Sequence, residues 1–241
     1  MKKRIITSLT IIILVVICVG IRLFTPLFGP PVYVYMVSSP LGPSQYETLP
    51  NGRNIYKADE LISVTINNDK DAELIKYFKN IKWIECTYKV DDLSFISDIN
   101  VELLYLPYPC EDYSYLENVS SINTLILSKC SLEKADELPV MENLESLEIS
   151  TTESFSCEGI DKFANLKYLY IRSDSKIRGF NSLGEIPALE EIVLLSKDYD
   201  ISELSQIRQV DRLVLNWIND EEKRQEIVDA FAGSDVNVVF D

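Results

Sequence analysis

The side chains of this 241-residue chain that could do chemistry are cysteines, carboxylates, tyrosines, tryptophans and arginines, because histidine is absent. Without an imidazole there is no Ser-His-Asp or Cys-His nucleophile, and most zinc hydrolase centres are excluded. Cys18, Cys86, Cys110, Cys130 and Cys157 form none of the close pairs that mark zinc sites. Eight glycines are present and none builds a phosphate-cradling loop. Asp91 beside Asp92, and Asp198 and Asp200 around Tyr199, lack the ligand spacing and the glycine of a calcium loop. Among 38 acidic residues, carboxylate pairs arise by abundance and carry no catalytic signal alone. The sequence therefore reads as a non-enzyme, with no cofactor and no metal. What remains is recognition. Trp83, Tyr105, Tyr168, Tyr170 and Arg172 combine large burial on contact with polar or charged tips, the chemistry that dominates binding hot spots.

Those five residues hold equivalent places in a repeat. A motif of the form LxxLxL returns every 20 to 23 residues, from Leu61/Val64/Ile66 through Val101/Leu104/Leu106 and Leu144/Leu147/Ile149 to Val210/Leu213/Leu215. In all eight copies the first, fourth and sixth positions are apolar, counting cysteine. In a chain that is 46% hydrophobic this has a chance on the order of one in 10^8 for a fixed register. Strand side chains change face at every step, so residues four and six point inward while three, five and seven point outward. The outward triplets cluster twice. Trp83, Leu103, Tyr105 and Ile126 form an apolar patch across units two to four; Tyr168, Tyr170, Arg172, Val193, Leu195, Arg212 and Val214 form another across units six to eight.

A repeat of this length carrying LxxLxL resembles the leucine-rich repeat family, whose units each give a short strand and a return segment stacked into a horseshoe. The return segments agree: Leu116/Val119, Leu138/Met141, Ile160/Phe163, Phe180/Leu183 and Ile201/Leu204 have helix-like or 3₁₀-like spacing. Their order is similar to that of the 22-residue bacterial class found in internalins. The resemblance implies an α/β solenoid of about eight units with a curved parallel sheet, and ligand binding on the concave face. One feature departs from the family. Asparagine is missing from the ninth position, which holds Asp69, Lys89, Pro109, Cys130, Thr152, Asp174, Lys197 and Ile218. Buried turn amides must then find other partners, and irregular turns are expected around Pro107 and Pro109. Cys110 and Cys130 fall on adjacent units about 4.8 Å apart, which permits either a disulfide or two buried thiols. Asp71 to Phe78 is expected to form an amphipathic helix, with Leu74, Ile75 and Phe78 inward. A C-terminal cap is expected from a helix with Asn219 as N-cap, Ile227, Val228 and Phe231 on one face and Gly233 as its stop, then a strand from Val236 to Phe240.

Residues 1–24 form a separate unit. Lys2, Lys3 and Arg4 precede an apolar run over 5–23, about 28 Å of helix if it spans a bilayer. The basic flank favours a cytoplasmic N-terminus. The run's apolar core from Ile5 to Ile17 is also the size of a signal segment with Cys18-Val19-Gly20 as cleavage site, so the run either stays as an anchor or is removed; Cys18 lacks the small residues of a lipoprotein box before it, which disfavours lipidation, and every case leaves the repeats outside. Residues 25–56 hold six of the ten prolines and read as a stiff stalk with an N-terminal cap, ahead of the repeat domain at 57–241. The first 24 residues take four of the 23 basic residues and none of the acidic ones, leaving 19 basic against 38 acidic, a net of −19, for the rest. Such a surface repels nucleic acid and anionic lipid headgroups. The expected function is a membrane-tethered, extracytoplasmic module that binds a protein or peptide ligand. The alternatives are a self-associating envelope structural protein and an accessory subunit of a membrane complex.

Overall fold

The computed structural model describes residues 62–77, 80–196 and 198–240, together with the backbone of two short strands, β1 (Tyr33–Tyr35) and β2 (Tyr46–Thr48), which pair antiparallel. The apolar segment 5–23, Leu61 and Phe78 lie outside the described residues. From β3 (Ser63–Ile66) the chain runs through α1 (Asp69–Leu74), β4 (Trp83–Cys86), β5 (Leu103–Leu106), β6 (Thr124–Leu127), β7 (Ser146–Thr151) and β8 (Phe155–Ser156). It continues through β9 (Tyr168–Ser173), β10 (Lys176–Arg178), β11 (Glu191–Leu195), β12 (Asp198–Tyr199), α2 (Ile201–Leu204), β13 (Arg212–Asn216), α3 (Glu221–Ala230) and β14 (Asn237–Phe240). Among the described residues no helix is long and apolar enough to cross a membrane.

Every LxxLxL copy is a strand, and the nine strands β3, β4, β5, β6, β7, β9, β11, β13 and β14 form one parallel sheet in that order. Parallel neighbours need a crossover of a dozen residues or more. Here five crossovers hold short 3₁₀ turns, at Ser94–Ile96, Ser114–Asn118, Ala135–Glu137, Ile160–Lys162 and Phe180–Glu185, and α1, α2 and α3 lie in the other three. The core lies between sheet and turns. Leu104, Leu125, Leu147, Ile192 and Leu213 from the strands are fully buried, as are Ile160, Phe163, Phe180 and Leu204 from the return side. Burial of each such side chain contributes about 1.5–3 kcal/mol, so the stack is held by repetition of one small contact set.

The return side carries a second parallel sheet, β12-β10-β8, aligning the buried Phe155, Ile177 and Tyr199. Strands of two or three residues are too short for alternation to reveal, and the sequence reading did not foresee them. Pro107 has the effect expected of a residue without an N–H. Thr87 N donates to the Ile66 carbonyl at 2.8 Å and Ser128 N to the Leu106 carbonyl at 2.9 Å. Pro107 cannot make the equivalent bond, and the β4–β5 pairing ends at Glu85 and Tyr105, one pair short of β5–β6.

Buried hydroxyls bond the turns that leave three of the strands. In units five, six and seven the eighth residue is Thr151, Ser173 or Ser196, buried because positions four, six and eight share the inward face. Ser173 Oγ donates to the Glu153 carbonyl at 2.7 Å and accepts from Ser175 N at 3.1 Å. Ser196 Oγ donates to the Ser175 carbonyl at 2.7 Å, carrying the pattern to the next unit. The Tyr199 hydroxyl then accepts from Ser196 N at 2.7 Å and shares its proton between the carbonyls of Leu194 (2.8 Å) and Asn216 (3.1 Å). Among the described residues no buried side-chain nitrogen or oxygen lacks a partner. Cys86, Cys110, Cys130 and Cys157 are buried free thiols.

At the front, α1 begins at Asp69 and passes into a 3₁₀ turn at Ile75–Tyr77, burying Ala72 and Ile75. At the other end the helix cap differs from expectation by one residue. Asp220, not Asn219, accepts from Glu222 N at 2.9 Å and Lys223 N at 3.2 Å. Of the three expected inward residues Ile227 and Phe231 are buried, whereas Val228 faces solvent, because α3 lays a single narrow stripe on the stack. Gly233, with φ of +82°, reverses the chain into β14.

Candidate functional site

Parallel register sets the outward residues in straight rows. The third positions align Trp83 with Leu103, Thr124, Ser146, Tyr168, Glu191 and Arg212 in successive pairs. The fifth positions align Glu85 with Tyr105, Ile126, Glu148, Tyr170, Val193 and Val214. Trp83 therefore meets Leu103, and Tyr105 meets Ile126, as one contiguous patch; Tyr170 meets Val193 in the other. Each of the five nominated residues stands on this face. Trp83, Tyr105 and Tyr170 are half-buried, while Tyr168 and Arg172 are exposed. Two groups of outward residues are not available. Ser63 and Thr65 in the first unit are buried, and so is Val214.

The cations of the face are already engaged. Arg172 reaches Asp174 at 3.6 Å and stacks over the Trp217 ring at 5.2 Å. Arg212 pairs with Glu191 at 3.3 Å. Tyr168 donates its hydroxyl proton to Glu190 at 3.0 Å, and this bond holds the phenol above its ordinary pKa. Along the strand-entry edge, Lys82 pairs with Glu102 and Lys167 with Glu145. The two midline carboxylates differ. Glu85 accepts from the Thr65 hydroxyl at 3.4 Å; burial raises its pKa and that hydrogen bond lowers it. Burial also raises Glu148, and nothing offsets it. Burial raises Tyr170 as well, helped by the Glu148 charge and opposed by Arg172.

Trp217 is a residue of this face that the sequence reading missed. It sits at an eighth position, inward in units five to seven, but its backbone adopts φ of +70° and turns the indole out. A tryptophan where neighbouring units carry threonine or serine was the available signal. The loop carboxylates have structural work instead. Asp92 accepts from Ser94 N (2.7 Å) and Asp200 from Ser202 N (3.0 Å) and Glu203 N (3.2 Å), each opening a helical turn on the return side.

No family model matches the chain, and no curated protein is significantly similar to it. Solved structures do match. An internalin C2 from Listeria monocytogenes is 18% identical, with a TM-score of 0.54, over 81% of this chain and 88% of that one. An internalin (inlF) from the same organism is 15% identical, with a TM-score of 0.53, over 81% of this chain and 57% of that one, so this chain spans little more than half of its length. The order of strands, the inward leucines and these neighbours together make the fold a leucine-rich repeat solenoid similar to that of the internalins.

Proposed function

We propose that the chain is a membrane-tethered, extracytoplasmic leucine-rich repeat module that binds a protein or peptide through the outward, concave face of its main sheet. The observation that carries the reading is the pair of aromatic and apolar patches lying in register on that face, the first built on Trp83 and Tyr105, the second on Tyr168, Tyr170 and Arg172. Contiguous exposed apolar surface of this kind marks interaction sites. The apolar run over 5–23 behind Lys2, Lys3 and Arg4 supports a tether with the repeats outside. The repeat belongs with the 22-residue class, its asparagine ladder replaced by eighth-position hydroxyls and Tyr199. Absence of histidine favours a binding role without enzymatic activity.

The test is cross-linking and co-purification from membranes of cells that make the full chain, compared with a Trp83→Ala/Tyr105→Ala/Tyr170→Ala variant that leaves every core position intact. A partner captured by the first and lost by the second is the expected result. A partner retained by both excludes the sheet face. Light scattering of the same pair separates self-association, which appears as a mass that rises with concentration and falls in the variant.

A further inference from the structure

We infer that the ligand of the concave face presents a lysine or arginine side chain to Glu148. The inference rests on the reading of that face as the binding surface and specifies what the surface selects.

Glu148 stands between the two patches. On its own strand the outward neighbours are Ser146 and Ser150, both short; across the sheet it pairs with Ile126 on one side and Tyr170 on the other. The fifth unit is thus a low saddle, and a ligand that touches both patches must cross it. Half-buried beside an isoleucine and a phenol ring, the carboxylate forms no hydrogen bond or ion pair with any described residue. A charged group in such a setting is unfavourable unless it is paired. The basic residues of the face do not supply the pairing: Arg172 is taken by Asp174 and Trp217, and Arg212 by Glu191. The other carboxylates of the sheet face have partners, the Thr65 hydroxyl for Glu85 and Arg212 for Glu191. Glu148 has none.

A lysine or arginine fits this surround in two ways. Its charged head pairs with the carboxylate, while its aliphatic stem lies on Ile126 and the Tyr170 ring, where a cation is also attracted to the ring face. The net charge of −19 on residues 25–241 draws a basic partner toward the whole domain before contact. A carboxylate-bearing or phosphorylated ligand would bring like charge to Glu148 and is disfavoured by the same geometry.

The experiment selects a displayed library of random twelve-residue peptides on the full-length chain and measures the affinity of the winners for Glu148→Gln, Glu148→Lys and Tyr105→Ala/Tyr170→Ala variants. The expected winners carry lysine or arginine flanked by apolar residues. They bind Glu148→Gln about thirtyfold more weakly. A peptide with glutamate in place of its basic residue regains binding on Glu148→Lys, which a merely structural role would not produce. Peptides that lose binding to the tyrosine double variant but bind Glu148→Gln unchanged overturn the inference and leave the concave-face reading standing. Peptides indifferent to all three variants overturn both.

Discussion

A side chain that the fold can do without is the clearest mark of use at the residue scale, and Glu148 and Trp217 are the two to examine. Burial holds Glu148 above the ordinary carboxylate pKa. The native state therefore binds protons more tightly than the unfolded state, and this residue's contribution to stability falls as pH rises from the ordinary carboxylate range through the raised value. Glu148→Gln is accordingly expected to raise Tm at pH 7, with the gain disappearing below about pH 4, where both states are protonated. Thermal melts at the two pH values check this. Trp217→Ala removes the ring under Arg172 but no core contact, so it is expected to cost less than about 1 kcal/mol in urea unfolding while weakening ligand binding. The five aromatic and basic residues chosen from the sequence were legible because strand alternation and the repeat period together fix which way a side chain points. Trp217 was not, because its outward turn depends on one left-handed backbone angle. Glu148 was visible within its triplet, but whether a carboxylate is paired depends on neighbours 20 or more residues away.

Turns rather than strands carry the departures from expectation at the element scale. The strand positions could be read directly, since each LxxLxL copy obliges three apolar residues to share one buried side. The turn chemistry could not, because a serine at an eighth position looks like any surface serine until the strand is seen to extend far enough to bury it. Tyr199→Phe removes a hydroxyl that serves Ser196 N and two carbonyls, leaving buried groups unpaired. Its expected cost is about 1–3 kcal/mol, with faster hydrogen exchange confined to 194–216. Gly159 offers a sharper contrast. At φ of +82° an added Cβ would lie 2.7 Å from Asp136 Cβ and 2.9 Å from its Cα, whereas at Gly233, with the same φ, nothing lies within 4 Å. Both substitutions to alanine meet the left-handed penalty of about 1–2 kcal/mol. Only Gly159→Ala adds overpacking, for a total of about 2–4 kcal/mol, and chemical denaturation of the two variants side by side measures the difference.

Across the whole molecule, the solenoid sets two patches on one sheet, and binding through that face requires them to act together across the Glu148 saddle. Each unit packs only on its neighbours, so stability spreads along the stack while the outward rows stay free to vary. A core substitution such as Leu147→Ala is expected to cost about 2–5 kcal/mol and to reduce binding through lost order, whereas replacing an outward aromatic such as Tyr168 should shift the melt far less. The most direct measurement is site-specific photo-cross-linking, with the reactive side chain placed singly at Tyr105 or Tyr170 on the sheet face and at Asn118 or Asp161 on the return side. The same partner is expected to be trapped from both Tyr105 and Tyr170 and from neither return-side position. Trapping from Asn118 or Asp161 alone would contradict it and move the binding surface to the opposite side of the solenoid.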